Sequence, residues 1–447
     1  MTNRFLKVFL NRRIFICLFT GFSSGFPYYV FQSLIFTWLA KEDVSLRDIG
    51  LITIMMLPYT WKFLWAPFLD EFGLPFLGLR RGWMLVSQIF ILLTVIALPW
   101  FSPKDSLDSV VYLCLLLIFF SATQDIVIDA YRRELLREEE LGLGNQIHVQ
   151  AWRAAFFIPG GLGIILGDYL PWKAVFFIVA CFMFISIAMT LLIEELSIRR
   201  AEKVSLNKAI VDPFKEFIHR NGMGNALMIL AFMFFYKLGD NMATTLATPF
   251  YIGIGYSLTE IGLVAKNAVF WGALIGGMLG GIWMIKLGIN RSLWVFGIFQ
   301  ITSIPGFHVL ASIEHNLLML GVVVAYEYLG VGLGAAALLA YIMKSTSPRF
   351  AATQIALLSS FIQVPRILAG AITGYLVEGV GEDSSPAIET IFKILQIPEN
   401  GMGWPNFFIF CTVIAVPGML MLFKIAPWNT EDTSVLRDGM KPREGKI

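Results

Sequence analysis

Long apolar runs separated by short polar connectors occupy almost the whole chain. Runs of about 20 apolar residues are long enough to cross the hydrocarbon core of a bilayer as an α-helix. A polar connector at 194–223 divides the runs into two sets of six. The pattern predicts an all-α integral membrane protein with twelve transmembrane helices. The predicted spans lie at 14–39, 47–70, 83–101, 109–131, 145–167, 172–193, 224–252, 259–285, 292–312, 316–343, 350–377 and 404–425.

The two sets of six runs resemble each other in sequence. SLRDIGL at 45–51 recurs as SLTEIGL at 257–263, and RRGWM at 80–84 is echoed by NRSLW at 290–294. Parallel repeats of this kind are the symmetry of the major facilitator fold, with a substrate site between the repeats. We therefore predict two pseudo-symmetric six-helix bundles, 1–193 and 224–447. The segment 194–223 is the predicted linker, and the second bundle ends in a short tail.

The composition and the placement of basic residues support this interpretation. The chain is 57% hydrophobic and only 15% charged, whereas soluble domains carry about 25% charged residues. Most of the 34 Lys and Arg residues fall in connectors that are cytoplasmic if the N-terminus is cytoplasmic. Because cytoplasmic loops are enriched in these residues, both termini are predicted to be cytoplasmic. The first apolar run lacks a cleavage site and is predicted to be a retained span.

Nine charged residues lie well inside the predicted spans. A charge at the bilayer centre costs at least about 2.5–3.5 kcal/mol on insertion scales. These residues are therefore expected to face a central aqueous cavity rather than lipid. They are Lys62, Asp125, Asp129, Arg153, Lys237, Asp240, Lys266, Glu327 and Arg366.

Asp125 and Asp129 lie four residues apart in the fourth span, so they share one helix face. At the repeat offset they correspond to Ala335 and Leu339, and the acids are therefore not a feature that both halves share. Two close carboxylates repel each other in a low dielectric, so one of the two acids is expected to bind a proton. Because Asp125 lies deeper, it is the stronger candidate for this proton-coupling group. Asp129 lies beside Arg132 and could instead be solvated or hold a gate. A structural salt bridge is the alternative for either acid.

Other charged and aromatic residues are further candidates for proton coupling and substrate binding. Lys237 and Asp240 are three apart and are predicted to form an intrahelical pair, which could be purely structural. Glu327 could pair with a lysine or act as a second proton-coupling site, and Asp240 is also a candidate. Aromatic residues flank these charges, although core packing explains aromatics well in a chain so rich in them. The substrate-binding candidates are Gln124, Trp152, Arg153, Tyr236, Lys237, Lys266 and Arg366.

The connector DEFGLPFLGLRRGW at 70–83 resembles a loop signature of the major facilitator superfamily, with a longer spacer. In that signature an aspartate at a helix end meets basic residues, and the loop is associated with gating. Anchoring by positive charge explains the two arginines nearly as well. The candidates for gating are Asp70, Arg80, Arg81, Lys286 and Arg291.

Several function classes find no support in the sequence. It contains no phosphate-binding GxxxxGK[ST] loop, no HExxH motif and no cluster of His and Cys with metal-ligand spacing. We therefore expect no ATP-driven motor, no enzyme, no cofactor, no metal and no nucleic-acid partner. Transport driven by an ion gradient is favoured over a membrane sensor or assembly scaffold, because a scaffold needs few buried charges. We expect a monomer in the lipid bilayer.

Several longer motifs resemble the AmpG muropeptide permease family of the major facilitator superfamily. They include GFSSGFP at 21–27, SATQDIVIDAYRREL at 121–135, YKLGDN at 236–241 and ATQIALLSSF at 352–361. The resemblance extends from about residue 14 to residue 425. It implies a proton-coupled importer of N-acetylglucosaminyl-1,6-anhydro-N-acetylmuramyl peptides in the bacterial inner membrane. The imported fragments would serve peptidoglycan recycling, and the mechanism would be alternating access.

The substrate remains open on sequence grounds. Related permeases with the same motifs import siderophores or carry acetyl-CoA, and the acidic loop at 378–403 would not attract an anion. An anionic glycopeptide nevertheless fits the excess of cations over acids inside the spans. Moving one negative charge inward against 100 mV costs about 2.3 kcal/mol, which proton cotransport would offset.

Overall fold

The computed structural model describes residues 11–74, 77–137, 140–196, 212–346, 351–381, 386–395 and 397–429. Within these residues the structure is helical, and the β pairing consists of one isolated bridge between Leu74 and Gly78. Much of the predicted linker, parts of the predicted 378–403 loop and the predicted C-terminal tail lie outside the described residues. The all-α prediction is confirmed.

The first half of the chain contains six helical segments. They are α1 (Arg12–Lys41), α2 (46–71), α3 (Leu79–Trp100), α4 (Leu107–Leu135), α5 (Leu143–Leu166) and α6 (Trp172–Leu192). The helix α2 is not the regular α-helix predicted at 47–70. Its α-helical pieces, Leu46–Ile52, Leu57–Trp61 and Ala66–Glu71, are connected by the 3₁₀ turns Thr53–Met56 and Lys62–Leu64. Each of the last two pieces has a proline in its first turn, where the missing N–H costs little.

The second half contains eight helical segments. They are α7 (Asp212–Asn221), α8 (Met223–Gly253), α9 (258–287), α10 (289–312), α11 (Leu317–Ser345), α12 (Ala351–Glu378), α13 (Pro386–Leu395) and α14 (Gly403–Ile425). A single apolar stretch, Leu258–Ser312, is divided into α9 and α10 at Gly288, whose φ of 74° favours glycine. In the described residues, nine stretches are long and apolar enough to cross a membrane, counting this one once. With α2 and α12, all twelve predicted spans coincide with helical segments.

The sequence repeat is also a repeat of local structure. The ends of α4, Leu107 and Leu135, lie 210 residues before the ends of α11. Gly78 has a φ of 87° just before α3, and it lies 210 residues before Gly288. Similarly, Ser45 and Ser257 each cap a helix by accepting a hydrogen bond from the backbone N–H three residues on. The two halves therefore share helix ends and caps as well as short motifs.

Packing divides the helices into two compact units. Unit 1 comprises the described residues of Met1–Lys203, Thr245–Asn267 and Ile367–Gly403, and unit 2 those of Val204–Thr244, Ala268–Arg366 and Trp404–Ile447. The helices α8, α9 and α12 contribute to both units. The units follow packing rather than the repeat, so the domain limits drawn from the repeat stay a prediction.

Close backbone contacts hold α1 against α5 in unit 1. A Cβ atom on Gly21 would lie 2.2 Å from the carbonyl oxygen of His148, and one on Gly25 would lie 2.4 Å from that of Trp152. Small residues allow this close approach between helices in a membrane. The GFSSGFP motif therefore sets the spacing between α1 and the helix that carries Trp152.

Polar contacts join later segments of the chain to the first half within unit 1. The carboxylate of Asp168 accepts hydrogen bonds from the backbone N–H and the hydroxyl of Thr259, each at 2.6 Å. The Thr53 hydroxyl donates to the carbonyl oxygen of Ile367 at 3.1 Å. Unit 1 is therefore built from both sequence halves.

Candidate functional site

The carboxylate of Asp125 on α4 is held by side chains of two other helices. Lys62 on α2 donates to one carboxylate oxygen, and Ser24 on α1 donates to the other at 2.5 Å. Lys62 lies in the 3₁₀ turn Lys62–Leu64, so the break in α2 places it there. The side chains of Lys62 and Asp125 are 28% and 16% exposed. Asp125 is therefore part of a partly exposed, hydrogen-bonded ion pair.

Asp129, one turn further along α4, has its own cation. It accepts a hydrogen bond from Arg132 at 2.8 Å, and its side chain is 46% exposed. The two acids share a helix face but differ in partner and exposure. Their roles in transport stay predictions.

Gln124, beside Asp125, is fully buried. Its amide nitrogen donates to the carbonyl oxygen of Ser23 at 2.6 Å, which joins α4 to α1. Its amide oxygen is buried and has no hydrogen-bond partner among the described residues. The structure therefore places this substrate-binding candidate inside the helix packing.

Five aromatic rings near this ion pair contact one another and are called here the aromatic array of unit 1. They belong to Tyr28, Tyr29, Tyr59, Trp152 and Phe156. Tyr28 contacts Tyr59, Tyr29 and Trp152, with ring centroids 5.7, 5.2 and 5.2 Å away. Tyr29 contacts Trp152 at 4.9 Å and Phe156 at 5.1 Å. Three elements, α1, α2 and α5, therefore contribute to one cluster of rings, in which Tyr28 and Tyr29 each contact three of the other rings.

Lys266 lies at the Phe156 end of the aromatic array. Its ammonium group donates to the Thr248 hydroxyl at 2.6 Å and lies 5.8 Å from the centre of the Phe156 ring. The residue is 8% exposed. No carboxylate within the described residues lies within ion-pairing distance of Lys266 or of the partly buried Arg153. Unit 1 thus contains two cations inside spans, Lys266 and Arg153, that have no acidic partner among the described residues.

Unit 2 contains a buried ion pair on a single helix. Lys237 donates to Asp240 at 2.6 Å, and the two side chains are 8% and 3% exposed. Lys237 also donates to the amide oxygen of Gln300 on α10 at 3.2 Å. The predicted intrahelical pair is confirmed. Tyr236, the neighbouring substrate-binding candidate, is buried and donates to the carbonyl oxygen of Leu293 at 3.0 Å.

A small cavity adjoins this pair. It has a volume of about 10 Å³, is lined in part by Tyr236, Asp240 and Gln300, and has room for about one water molecule. One oxygen of Asp240 and the amide nitrogen of Gln300 are buried, and neither has a partner among the described residues. A single water could accept from the amide and donate to the carboxylate.

Glu327 on α11 is fully buried and has a hydroxyl partner rather than a cation. Ser303 lies 2.6 Å from one carboxyl oxygen, and the other oxygen has no partner among the described residues. A Cβ atom on Gly334 would lie 2.0 Å from the Gln300 amide. This glycine therefore makes room for the polar side chain of Gln300 on α10.

The predicted gating residues of the first half bind acids and carbonyls. Arg80, which is buried, donates to Glu134 at 2.8 Å. The backbone N–H groups of Arg80 and Arg81 both donate to Glu195, which caps α3. The Arg81 side chain donates to the carbonyl oxygens of Thr190 and Leu191. These contacts are more specific than charge anchoring requires, and a gating role stays a prediction.

The gating candidates of the second half differ from these. Arg291 donates to the carbonyl oxygen of Trp428 at 3.3 Å, and Lys286 is exposed, with no ion pair in the part of the chain that the structure describes. The side chain of Asp70 lies outside the described residues. Arg366 lies in α12 and is partly buried, at the limit of unit 2.

Glu140, in the connector after α4, is an acid outside the spans whose protonation is perturbed. Desolvation raises its pKa, but hydrogen bonds from the Arg137 backbone and from the side chains of Arg13 and Asn11 outweigh that effect. The net result is a pKa below the usual value for glutamate. The ionised carboxylate therefore stabilises the junction between α1 and this connector.

Comparison with known proteins decides the family. The Major Facilitator Superfamily family model matches residues 14–370. The anhydromuropeptide permease of Escherichia coli strain K12 is 34% identical, over 94% of this chain and 81% of the permease. The chain belongs to the AmpG family of the major facilitator superfamily. An uncharacterized protein of Haemophilus influenzae is 41% identical, over 97% of this chain and 99% of that protein.

Solved structures agree with the fold of this AmpG-family transporter. The crystal structure of the nucleoside transporter NupG matches with a TM-score of 0.69 at 12% identity, covering 93% of this chain and 100% of NupG. This likeness confirms the predicted major facilitator fold, and the family match together with the Escherichia coli relative confirms the predicted class of membrane transporter. At this level of identity the likeness concerns the fold alone.

Sequence reasoning missed the hydroxyl and amide groups around the charges. Ser24, Thr248, Gln300 and Ser303 each hydrogen-bond a charged candidate. Short polar residues in apolar helices are too common to single out. Their spacing from a charge on another helix becomes visible only once the helices are packed.

Proposed function

We propose that this AmpG-family protein is a proton-coupled importer of anhydro-muropeptides in the bacterial inner membrane. The observation that carries the proposal is the 34% identity to an anhydromuropeptide permease over 94% of this chain. The import direction is what the resemblance to the AmpG family implies, and the coupling to protons is proposed from the energetics of an anionic cargo. A cargo that carries net negative charge enters against an inside-negative potential, and each accompanying proton offsets one charge.

The charge content of unit 1 supports an anionic cargo. Inside its spans, Lys266 and Arg153 lack a carboxylate partner among the described residues, and Lys62 is shared with Asp125. A buried cation without a partner is costly, and a carboxylate ligand supplies one. Muropeptides carry peptide carboxylates, so they match this need.

Hydrogen-bond geometry at Glu327 supports a bound proton in unit 2. The Ser303 hydroxyl lies 2.6 Å from the Glu327 carboxyl and 2.8 Å from the carbonyl oxygen of Gln300. A hydroxyl has one hydrogen, so it can donate to only one of these oxygens. If Glu327 is protonated, it donates to Ser303, and Ser303 donates to Gln300, which accounts for both distances. Glu327 is therefore a stronger proton-coupling candidate than Asp125, which has a cation and a hydroxyl as donors.

The test is uptake of labelled anhydro-muropeptide into proteoliposomes with an imposed pH gradient. The wild-type protein should accumulate the label when the outside is acidic, and unlabelled ferric siderophore and acetyl-CoA should not compete. Glu327→Gln keeps the shape of the neutral acid but cannot exchange a proton. We expect it to lose gradient-driven accumulation and to retain counterflow exchange.

Glu314→Gln is the matched control, because Glu314 is exposed just before the same helix, α11. It should transport like the wild type. Gradient-driven accumulation by Glu327→Gln at the wild-type level would reject Glu327 as the coupling group. Uptake of labelled ferric siderophore or acetyl-CoA, with no uptake of muropeptide, would reject the proposed cargo.

A further inference from the structure

Two acids in unit 1 each bind the start of a helix that belongs to the other sequence half. Asp168, just after α5, accepts hydrogen bonds from the backbone N–H groups of Leu258 and Thr259, the first two residues of α9, at 3.3 and 2.6 Å. Glu378, the last residue of α12, accepts from the backbone N–H of Arg47, the second residue of α2, at 3.4 Å. Negative charge is favourable at a helix N-terminus, so each carboxylate stabilises a helix of the opposite half.

The two contacts are related by the sequence repeat. Asp168 lies 210 residues before Glu378, and Arg47 lies 212 residues before Thr259. The offset of 210 also relates the ends of α4 to those of α11, and the offset of 212 relates SLRDIGL to SLTEIGL. An interface between symmetry-related bodies contains each contact twice, once in each direction. The contacts of the two acids are therefore one interaction of the repeat, formed in both directions.

Close backbone packing accompanies each contact. Gly50 and Gly262 each lie three residues after the residue whose N–H binds the acid. A Cβ atom on Gly50 would lie 2.4 Å from the carbonyl oxygen of Gly370, and one on Gly262 would lie 3.3 Å from that of Gly161. Small residues permit such an approach between helices in a membrane. The helix pairs α2 with α12 and α5 with α9 therefore meet closely beside the acids.

The two acids themselves are accessible to water. Asp168 is exposed, and the side chains of Glu378 and Arg47, whose Nε lies 3.7 Å from the carboxylate, are 32% and 31% exposed. The basic residues of the chain predict that these helix ends lie on the outer side of the membrane. Exposed carboxylates exchange protein donors for water at small cost. Both contacts can therefore form and break repeatedly.

We propose that Asp168 and Glu378 are positioning residues that form a two-part outer latch. The latch joins the outer ends of the two sequence halves in this structure and opens in each transport cycle, when each carboxylate exchanges its helix N-terminus for water. Asp168 also accepts from the Thr259 hydroxyl at 2.6 Å, so its part of the latch is the stronger one. This inference rests on the proposed function through alternating access alone, and it is independent of the cargo.

Distances between spin labels test the outer latch without any cargo. Labels are attached at Asp108→Cys and Glu399→Cys, two exposed positions in different sequence halves, after Cys181→Ser removes the exposed native thiol. Pulsed electron resonance then gives the distance distribution of the purified protein in lipid nanodiscs. Asp168→Ala should raise the ratio of long to short distances by about tenfold, because several hydrogen bonds to a charged group are lost. Glu378→Ala should raise it by about threefold, because its ion pair is partly exposed.

Two further variants show whether the effect is specific to the outer latch. Lys104→Ala breaks an exposed ion pair with Asp43, at 3.0 Å, that lies on the same side of the membrane but joins residues of one half. It should leave the distances unchanged. Asp168→Asn keeps the shape of the side chain without its charge and should give a smaller shift than Asp168→Ala. This variant also guards against an alanine variant that fails to fold.

The outcomes separate the outer latch from a static cap and from the choice of cargo. If Asp168→Ala and Glu378→Ala keep the wild-type distances, the latch is overturned, and a fall in Tm without a change in distance would assign the two acids to helix capping alone. An equal lengthening with Lys104→Ala would also overturn it. Longer distances in the two latch variants alone would support the latch even if muropeptide uptake fails, because the labelled protein contains no cargo.

Discussion

The two units use charge in opposite ways. In unit 1 the acid Asp125 is paired at a partly exposed position, and two cations inside spans lack an acidic partner among the described residues. In unit 2 the pair between Lys237 and Asp240 is almost fully buried, and the acid Glu327 has no cation partner in the part of the chain that the structure describes. The two units therefore carry complementary electrostatics.

The repeat shows that neither arrangement belongs to the shared scaffold. On α4 and α11, which have equivalent ends, Asp125 corresponds to Ala335 and Glu327 corresponds to Leu117. Each half carries its acid at a position where the other half has an apolar residue. This difference supports the proposals made above, in which an anionic cargo binds the cations of unit 1 and the coupled proton binds Glu327 of unit 2.

The largest expected effect is the loss of one partner from the buried pair of unit 2. Lys237→Met leaves Asp240 in a buried site without its cation, which should cost about 3–5 kcal/mol of stability. Thermal unfolding of the purified protein in detergent should show a large fall in Tm. The double variant Lys237→Met/Asp240→Leu should recover much of the loss, because it removes both charges.

The same change in unit 1 is the control for this prediction. Lys62→Met also leaves an acid, Asp125, without its cation, but the pair is partly exposed and Ser24 still donates to the acid. Its stability loss should be smaller than that of Lys237→Met. Equal losses for the two variants would contradict the contrast in burial between the units.

A smaller effect is expected from crowding the interface between α1 and α5. Gly25→Ala puts a Cβ atom 2.4 Å from the carbonyl oxygen of Trp152, so the backbone of α1 or α5 must shift. We expect a loss of about 1–3 kcal/mol, measured as a fall in Tm. Gly277→Ala in unit 2 meets no atom within 4 Å and should be neutral. A neutral Gly25→Ala would show that the helices are not in close contact.

The smallest effect is expected at the polar contacts beside the gating candidates, which differ between the two halves of the chain. Arg80 and Glu134 in unit 1 are ion-paired, and the residues 210 positions later, Asn290 and Lys344, lie 3.4 Å apart in a weaker contact. Glu134→Ala should therefore cost about 1–2 kcal/mol, whereas Lys344→Ala should cost about 0.5 kcal/mol or less. Equal falls in Tm for the two variants would show that the contact of Lys344 with Asn290 stabilises the protein as much as the ion pair of Glu134 with Arg80.

Local sequence patterns predicted those features that depend on neighbours in the chain. Periodic apolar runs predicted the spans, and a spacing of three residues predicted the pair of Lys237 with Asp240. The pairing of Asp125 with Lys62 joins residues 63 positions apart, so it needed the packed helices. The prolines of α2 were visible, but their combined effect in breaking a whole span was not.

The broken α2 also has a consequence for how the protein enters the membrane. Insertion of a helix during synthesis depends on its own apolar length and on the cost of its charges, and a lysine near the centre costs about 2.5–3.5 kcal/mol. The longest piece of α2, Leu46–Ile52, has seven residues, and Lys62 lies in a later turn. We therefore expect α2 to be released into lipid together with α1 and α3, whose uninterrupted apolar surfaces supply the partition energy that α2 lacks.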